Sequence, residues 1–414
     1  MKRLIFHVDV NSAYLSWEAA KRVASGESDL REIPSAVGGN PETRHGIILA
    51  KSIPAKKFGI KTGEPIGMAL KKCPNLVLVS PDFHLYQKNS DAFMAICRKY
   101  APVVEQYSID ECFLDMSGTE AIYPDPIGLA HQIKNEIRDT LHFTVNIGIG
   151  SNKLLAKMAS DFEKPDKVHT LFTEEIPEKL WPLPIGDLFL VGKSTAKHLQ
   201  EAGIRTVGDA AKLELYALQH ILGEKGGIRL YEYTHGQDDS PVLAEREAPK
   251  GYSNSVTLTE NITDKAEAYK VLLALADSVT TRMRADGMLA YSVSVSIRSA
   301  DFKNKSHQCQ LDAATDNTNH VYEIAKKLFE QLWDSETPLR LLGLSLTKVT
   351  DENYVQPSLF DAPKEEKARK IDKAVDAIRN RFGIDTIVRG TNYHSDLSVG
   401  KKHKAQLENK KKSD

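Results

Sequence analysis

The chain has 414 residues, 41% hydrophobic and 27% charged, with a formal net charge of −1. That length supports two to four domains with cores of their own, and the balanced charge excludes a uniformly basic nucleic-acid coat, so contact with nucleic acid must come from local patches. No apolar run is long enough to span a bilayer, His7 and Asp9 interrupt the N-terminal apolar stretch too soon for a signal peptide, and Cys73, Cys97, Cys112 and Cys309 have neither CxxC spacing nor a disulfide framework, which together predict a cytoplasmic protein with no membrane partner.

In chain order the N-terminal part reads as a strand (about 4–9), a helix (about 11–24), an irregular insertion (about 20–76) and a helix (about 82–101). Strands at about 103–108 and 112–116, a helix at 126–140, a strand at 144–150 and a helix at 152–162 follow. Without the insertion this is a βαββαβ order, the ferredoxin-like split motif. Residues of about 168–240 read as short helices and turns, including the Gly-bearing segments Val191-Gly192-Lys193 and Leu222-Gly223-Glu224-Lys225-Gly226-Gly227. A charged linker near Glu245–Lys250 leads to a second α+β unit: a helix (264–285), an alternating strand, a strand (305–312), a helix (317–333) and a strand (339–349). In the alternating strand Tyr291, Val293, Val295 and Ile297 should face a core, with Ser292, Ser294, Ser296 and Arg298 on the other side. Beyond residue 350 the chain is polar, with a charged helix at about 363–381 and a Lys-rich end that read as weakly packed.

Three acids stand out. Asp110-Glu111 lie between two strand-like runs, and Asp9 ends the apolar run Leu4-Ile5-Phe6-His7-Val8. In the split motif those strands are neighbours, so three carboxylates converge at one sheet edge. Carboxylates so placed repel unless cations join them, and they are the ligand set for a pair of Mg²⁺ ions in phosphoryl transfer.

Three segments carry a resemblance: Val8-Asp9-Val10-Asn11-Ser12-Ala13-Tyr14, Tyr107-Ser108-Ile109-Asp110-Glu111, and Asn152 to Pro165 with its Lys164-Pro165 end. As an ordered set they resemble the Y-family, lesion-bypass DNA polymerases over about 350 residues. The resemblance implies an α+β right-hand enzyme with a palm (1–19 and 77–167), small fingers (20–76), a helical thumb (168–240), a linker (241–250), a DNA-gripping little finger (251–350) and a tail (351–414). It implies that Asp9, Asp110 and Glu111 bind two Mg²⁺ with the Val10 carbonyl, Glu111 being nearest the primer 3′-hydroxyl. Tyr14, beside Ala13, falls at the aromatic steric gate that excludes a ribose 2′-hydroxyl, and Lys164 and Lys56 fall at triphosphate-contacting positions. The match is imperfect: Ile53 stands where a phosphate-contacting Tyr is usual, Lys56 where an Arg is usual, and Asn11 replaces a frequent acid. Lys supplies charge without bidentate geometry.

The thumb segment resembles helix–hairpin–helix elements, with Gly192 and Lys193 presenting a helix N-terminus to a DNA phosphate, although Leu190 replaces the usual first Gly. In the little finger, Ser294, Ser296 and Arg298 would run along the DNA backbone, helped by Lys303, Lys305 and His307. Gln356-Pro357-Ser358-Leu359-Phe360 resembles the peptide by which bacterial polymerases dock on the sliding clamp, Leu359 and Phe360 serving as anchors. The implied partners are primer–template DNA, dNTPs and the clamp, and the implied state is monomeric. His7 and His84 read as packing or surface residues, since no histidine has metal-site spacing. Two further readings remain open from the residues: a nucleotidyl cyclase on a similar palm, and a clamp-bound DNA scaffold without chemistry.

Overall fold

The computed structural model describes residues 3–39, 46–245, 247–351, 362–383, 386–387 and 389–390. These fall into two compact units, the first ending at residue 245 and the second beginning at 247. Among the described residues no helix is long and apolar enough to cross a membrane.

The first unit begins with β1 (Ile5–Val10) and α1 (Ala13–Ala24), then β2 (Ser35–Gly38), β3 (Ile48–Lys51), α2 (Ile53–Lys57), α3 (Ile66–Lys72) and β4 (Val77–Val79). It continues through α4 (Phe83–Tyr100), β5 (Val103–Gln106), β6 (Glu111–Asp115), α5 (Pro126–Leu141), β7 (Val145–Gly150), α6 (Lys153–Ser160) and β8 (Val168–Leu171). The main sheet has the order β5-β6-β1-β7-β8, with β1 antiparallel to both neighbours and every β1 residue buried. Its first four strands have the expected split βαββαβ arrangement, and β8 extends it by pairing parallel to β7.

Strand alternation gives this sheet two different faces. Phe6, Val8 and Val10, with Cys112, Leu114, Ile147 and Ile149 beside them, pack under α4 and α5. There the thiols of Cys97 on α4 and Cys112 on β6 come within 3.7 Å, although they are distant in sequence. Ile5, His7 and Asp9 lie on the other face, opposite Gly150, Gly148 and Asn146 of β7. A Cβ on Gly148 would sit 2.0 Å from the Ala156 carbonyl oxygen, so a bare backbone is what lets α6 lie directly on β7. Asn152 caps that helix, its side chain accepting from the Leu155 N–H at 2.8 Å.

The stretch read as an irregular insertion is in fact a three-stranded sheet, β3-β2-β4, with a small core that includes Ala36, Ile48, Ile60, Ile66 and Leu76. Strands of three or four residues are too short to display a period of two. After β8, α7 (Lys193–Glu201), α8 (Val207–Ala211), α9 (Leu215–Leu222) and α10 (Glu224–Thr234) share a core with Leu154, Leu155 and Met158 of α6.

The second unit contains β9 (Gly251–Ile262), α11 (Lys265–Ala285), β10 (Met288–Ser299), β11 (Asn304–Thr315), α12 (Thr318–Leu332), β12 (Leu339–Asp351) and α13 (Ala362–Phe382). Its sheet, β11-β10-β12-β9, is antiparallel throughout. One strand was missed and two expectations are corrected here. β9 escaped the reading because Asn254 and Glu260 interrupt the apolar alternation of Tyr252, Val256, Leu258 and Ile262. Tyr291 is not on the core face: a register shift between Ala290 and Ser292 puts Ala290 into the core with Val293, Val295 and Ile297. α13 is not weakly packed, because Arg284 of α11, only 5% exposed, holds Asp376 of α13 at 2.6 Å.

Candidate active site

The site starts from a single register. β1 and β6 pair with Asp9 opposite Glu111, and the Val10 N–H donates to the Asp110 carbonyl at 3.0 Å. The turn before β6 is tied by the Tyr107 and Ser108 N–H groups, both donating to the Glu111 carbonyl, and by the Ser108 hydroxyl, which donates to Asp110 Oδ1 at 2.6 Å. Asp9, Asp110 and Glu111 are thereby brought to one sheet edge, as the spacing predicted.

Charges on α6 and just beyond it answer these acids. Lys157 Nζ lies 2.7 Å from Glu111 Oε2, 3.3 Å from Asp9 Oδ2 and 3.3 Å from Asp161. Lys164 Nζ lies 2.9 Å from Asp9 Oδ2 and 2.8 Å from Asp161 Oδ1. His7 Nε2 is 3.1 Å from Glu111 Oε2, and its Nδ1 is 2.8 Å from the Ser160 hydroxyl. Burial opposes the charge on Glu111, but the hydrogen bonds from His7 and Lys157 outweigh it and hold its pKa at about 2. Asp110 moves the other way: burial raises its pKa, and the charges of Asp9 and Glu111 add to the rise against the Ser108 hydrogen bond. Burial lowers the His7 pKa, against the opposing pull of the Glu111 hydrogen bond.

Each carboxylate is thus held by one oxygen. Among the described residues no donor reaches Asp9 Oδ1 or Asp110 Oδ2, and Glu111 Oε1 has only the Ser108 hydroxyl, at 3.4 Å and already given to Asp110. One free oxygen per acid at a shared edge suits hard divalent cations. The donor atoms of His7, Asp9 and Glu111 lie within 4.8 Å of one another, whereas Asp110 stands outside that set. Both ring nitrogens of His7 are already engaged, so it orients Glu111 rather than packing inertly as the sequence suggested. His7 and Lys157 were missed. Their signals were position: His7 precedes Asp9 by two in a strand and so shares its face, and Lys157 shares a helix face with Ser160 and Asp161.

A cleft of about 430 Å³ opens beside the acids, lined by Asp9, Val10, Ala13, Tyr14, Lys56, Asp110 and Lys164, all of which the sequence had singled out. Ser12 turns the chain into α1 with a left-handed φ of 49° and no side-chain cap, leaving first-turn N–H groups at the cleft. The Tyr14 ring stacks on Tyr86 (4.6 Å between centroids, 13° between planes), and the buried Tyr86 hydroxyl donates to Glu18 at 2.8 Å. Lys56 stands on α2, which Ser52 caps by accepting from the Ala55 N–H.

The remaining candidates lie elsewhere. Gly192 begins α7 without a side-chain cap, and Leu190 before it takes the left-handed φ of 65° that a glycine would adopt freely. On β10, Ser294 and Ser296 pair with Gln308 and Ser306 of β11 and with Ser345 and Gly343 of β12, so a face of small polar groups runs across the strands. Arg298 donates to Asn304 at 2.8 Å. Lys305 and His307 pair with Ile297 and Val295, which puts them on the opposite face from the serines, and Lys303 is paired with Asp301 at 2.8 Å. Gln356, Leu359 and Phe360 lie outside the described residues.

Comparison with known proteins decides the family. The profile of the impB/mucB/samB family matches residues 8–161, that of its C-terminal domain matches 249–359, and that of the DNA polymerase-iota thumb domain matches 186–238. The DNA polymerase IV of Clostridium acetobutylicum is 42% identical over 390 residues, covering 94% of this chain and 98% of that protein. The chain belongs to the Y family of DNA polymerases. DNA polymerase IV 1 of Bacillus subtilis is 34% identical to this Y-family chain, covering 96% of it and 95% of the relative. A solved Y-family polymerase chimera, Dbh-Dpo4(243-245)-Dbh, shares the fold with a TM-score of 0.72 at 24% identity, covering 84% of this chain and 99% of that one. Dependence on a divalent metal comes with the family, and the acidic cluster around Asp9 and Glu111 fits it.

Proposed function

We propose that this translesion-type, DNA-directed DNA polymerase adds dNTPs to a primer 3′-hydroxyl with two Mg²⁺ ions, which Asp9, Asp110, Glu111 and the Val10 carbonyl would hold. The supporting observation is the Asp9–Glu111 register, which sets the acids beside a cleft that Asp9 and Asp110 line together with Lys51, Lys56 and Lys164. When bound, such ions make the primer hydroxyl a better nucleophile and offset charge on the pyrophosphate leaving group.

The chain's own residues do the positioning. Lys157 and His7 fix Glu111, and Ser108 fixes Asp110. Lys164 and Lys56 receive the triphosphate, and the first-turn N–H groups of α1 face its oxygens. Tyr14, braced by Tyr86, blocks a 2′-hydroxyl, with Ala13 beneath the sugar. The small core under β3-β2-β4 offers no long helix to close over a nascent pair, which suits a tolerant, low-fidelity and poorly processive enzyme. In this reading the main sheet is the palm, the small sheet the fingers, α7–α10 the thumb and the second unit the little finger. The hydroxyl-rich face around Ser294 and Ser296, Arg298, and the uncapped start of α7 at Gly192 and Lys193 suit phosphate contacts without sequence code. Gln356, Leu359 and Phe360 dock a sliding clamp, and the enzyme acts as a monomer.

The test is primer extension by the Asp110→Ala, Glu111→Ala double variant. Extension should fall by about a thousandfold or more while primer–template affinity stays within twofold of wild type. Retained extension would sink the assignment of these acids.

A further inference from the structure

Resting on that reading, we infer that Lys51 is a further nucleotide-binding residue, which gives the incoming triphosphate a cation from the fingers side.

β3 alternates, with Ile48 and Ala50 buried and Leu49 and Lys51 half-buried at the cleft. The Lys51 ammonium donates to the Thr62 hydroxyl at 3.2 Å, and Thr62 also lines the cleft. That partner is neutral. Glu64 acts on Lys51 through space, but its charge is taken by Lys72 at 2.5 Å. Among the described residues no carboxylate lies within ion-pair distance of Lys51.

The other cations near the acids are neutralised differently: Lys157 by Glu111, Asp9 and Asp161, and Lys164 by Asp9 and Asp161. Lys51 is therefore a partly desolvated ammonium with no carboxylate in direct contact among the described residues, at a cleft of about 430 Å³. Burial, and after it the like charge of Lys56, make its protonated form harder to hold, and an anion placed between the two lysines removes that cost. The need for such a donor is visible in the same segment. Ile53 has no hydroxyl to offer a phosphate, and Lys56 is a point charge where a guanidinium would grip with two N–H groups. Lys51, two residues before Ile53, restores one donor and one charge.

The experiment is single-nucleotide insertion by full-length wild type, Lys51→Gln, Lys51→Ala and Lys51→Arg, with primer–template affinity and inhibition by pyrophosphate measured alongside. Loss of one charge-assisted phosphate contact should raise KM about tenfold for all four dNTPs with kcat changed much less. Pyrophosphate should inhibit the Gln and Ala variants more weakly, DNA affinity should hold, and Lys51→Arg should recover most of the loss. KM values within twofold of wild type would overturn the inference. So would an effect confined to one or two dNTPs, which points to a base contact, or a fall in kcat alone or failure of both neutral variants to fold, which points to a structural role. An inactive wild type would instead count against the polymerase reading itself.

Discussion

Tyr14 is held from several sides. Its ring stacks on Tyr86, meets Phe83 edge-on at 6.4 Å and sits 5.9 Å from Trp17, so a swing of the ring would give up three aromatic contacts, which suits the proposed gate. A gate works by overlap, and overlap requires a wall that does not yield. Tyr14→Ala should therefore raise insertion of ribonucleotides relative to deoxyribonucleotides by about tenfold or more, read by primer extension with single NTPs and dNTPs. An unchanged ratio would show that another group reads the sugar. The same rigidity governs the acids, where His7 and Lys157 are buried donors that pin one oxygen of Glu111 in a fixed direction.

Among the elements, α6 and α13 illustrate two kinds of docking. α6 reaches its place because Gly148 and Gly150 leave the β7 backbone bare, and the closeness of that contact carries Lys157 to Asp9 and Glu111. α13 is held by charge. Arg284 grips Asp376 through both Nε and Nη2, Asp372 accepts from the Thr318 N–H and the Asn317 amide, Arg369 meets Asp316 at 3.0 Å, and Arg379 meets Asp277 at 2.8 Å. Removing one partner of a buried pair leaves the other uncompensated, at a cost of about 3 kcal/mol or more. In Arg284→Met, amide exchange along α13 should accelerate strongly while β10 keeps its protection. Equal protection of α13 in variant and wild type would show that apolar contacts hold it.

For the whole molecule, a net charge of −1 means that grip on DNA must come from local patches. The proposed clamp-docking peptide Gln356-Pro357-Ser358-Leu359-Phe360 is tested at this scale. Replacing Leu359 and Phe360 together with Ala should leave unassisted primer extension intact and remove the stimulation given by a bacterial sliding clamp. Stimulation equal to wild type would dismiss the peptide. The two units have separate apolar cores, one set under the main sheet, the small sheet and α7–α10, the other under β11-β10-β12-β9.

By itself the sequence determined the βαββαβ order and singled out the three acids, Lys56, Lys164 and Tyr14, because long periodic elements and closely spaced motifs are local properties of the chain. It could not reveal β9 or β2-β3-β4, where polar interruptions and short length erase periodicity, nor the bulge that moves Tyr291 off the core face. Only the tertiary structure decided what His7, Lys157 and Lys51 face. Each takes its meaning from a partner many positions away (Glu111 for His7 and Lys157) or from a shortage of one (a carboxylate for Lys51), and such pairings exist only once the sheet register and the docking of α6 bring the strands and helix together.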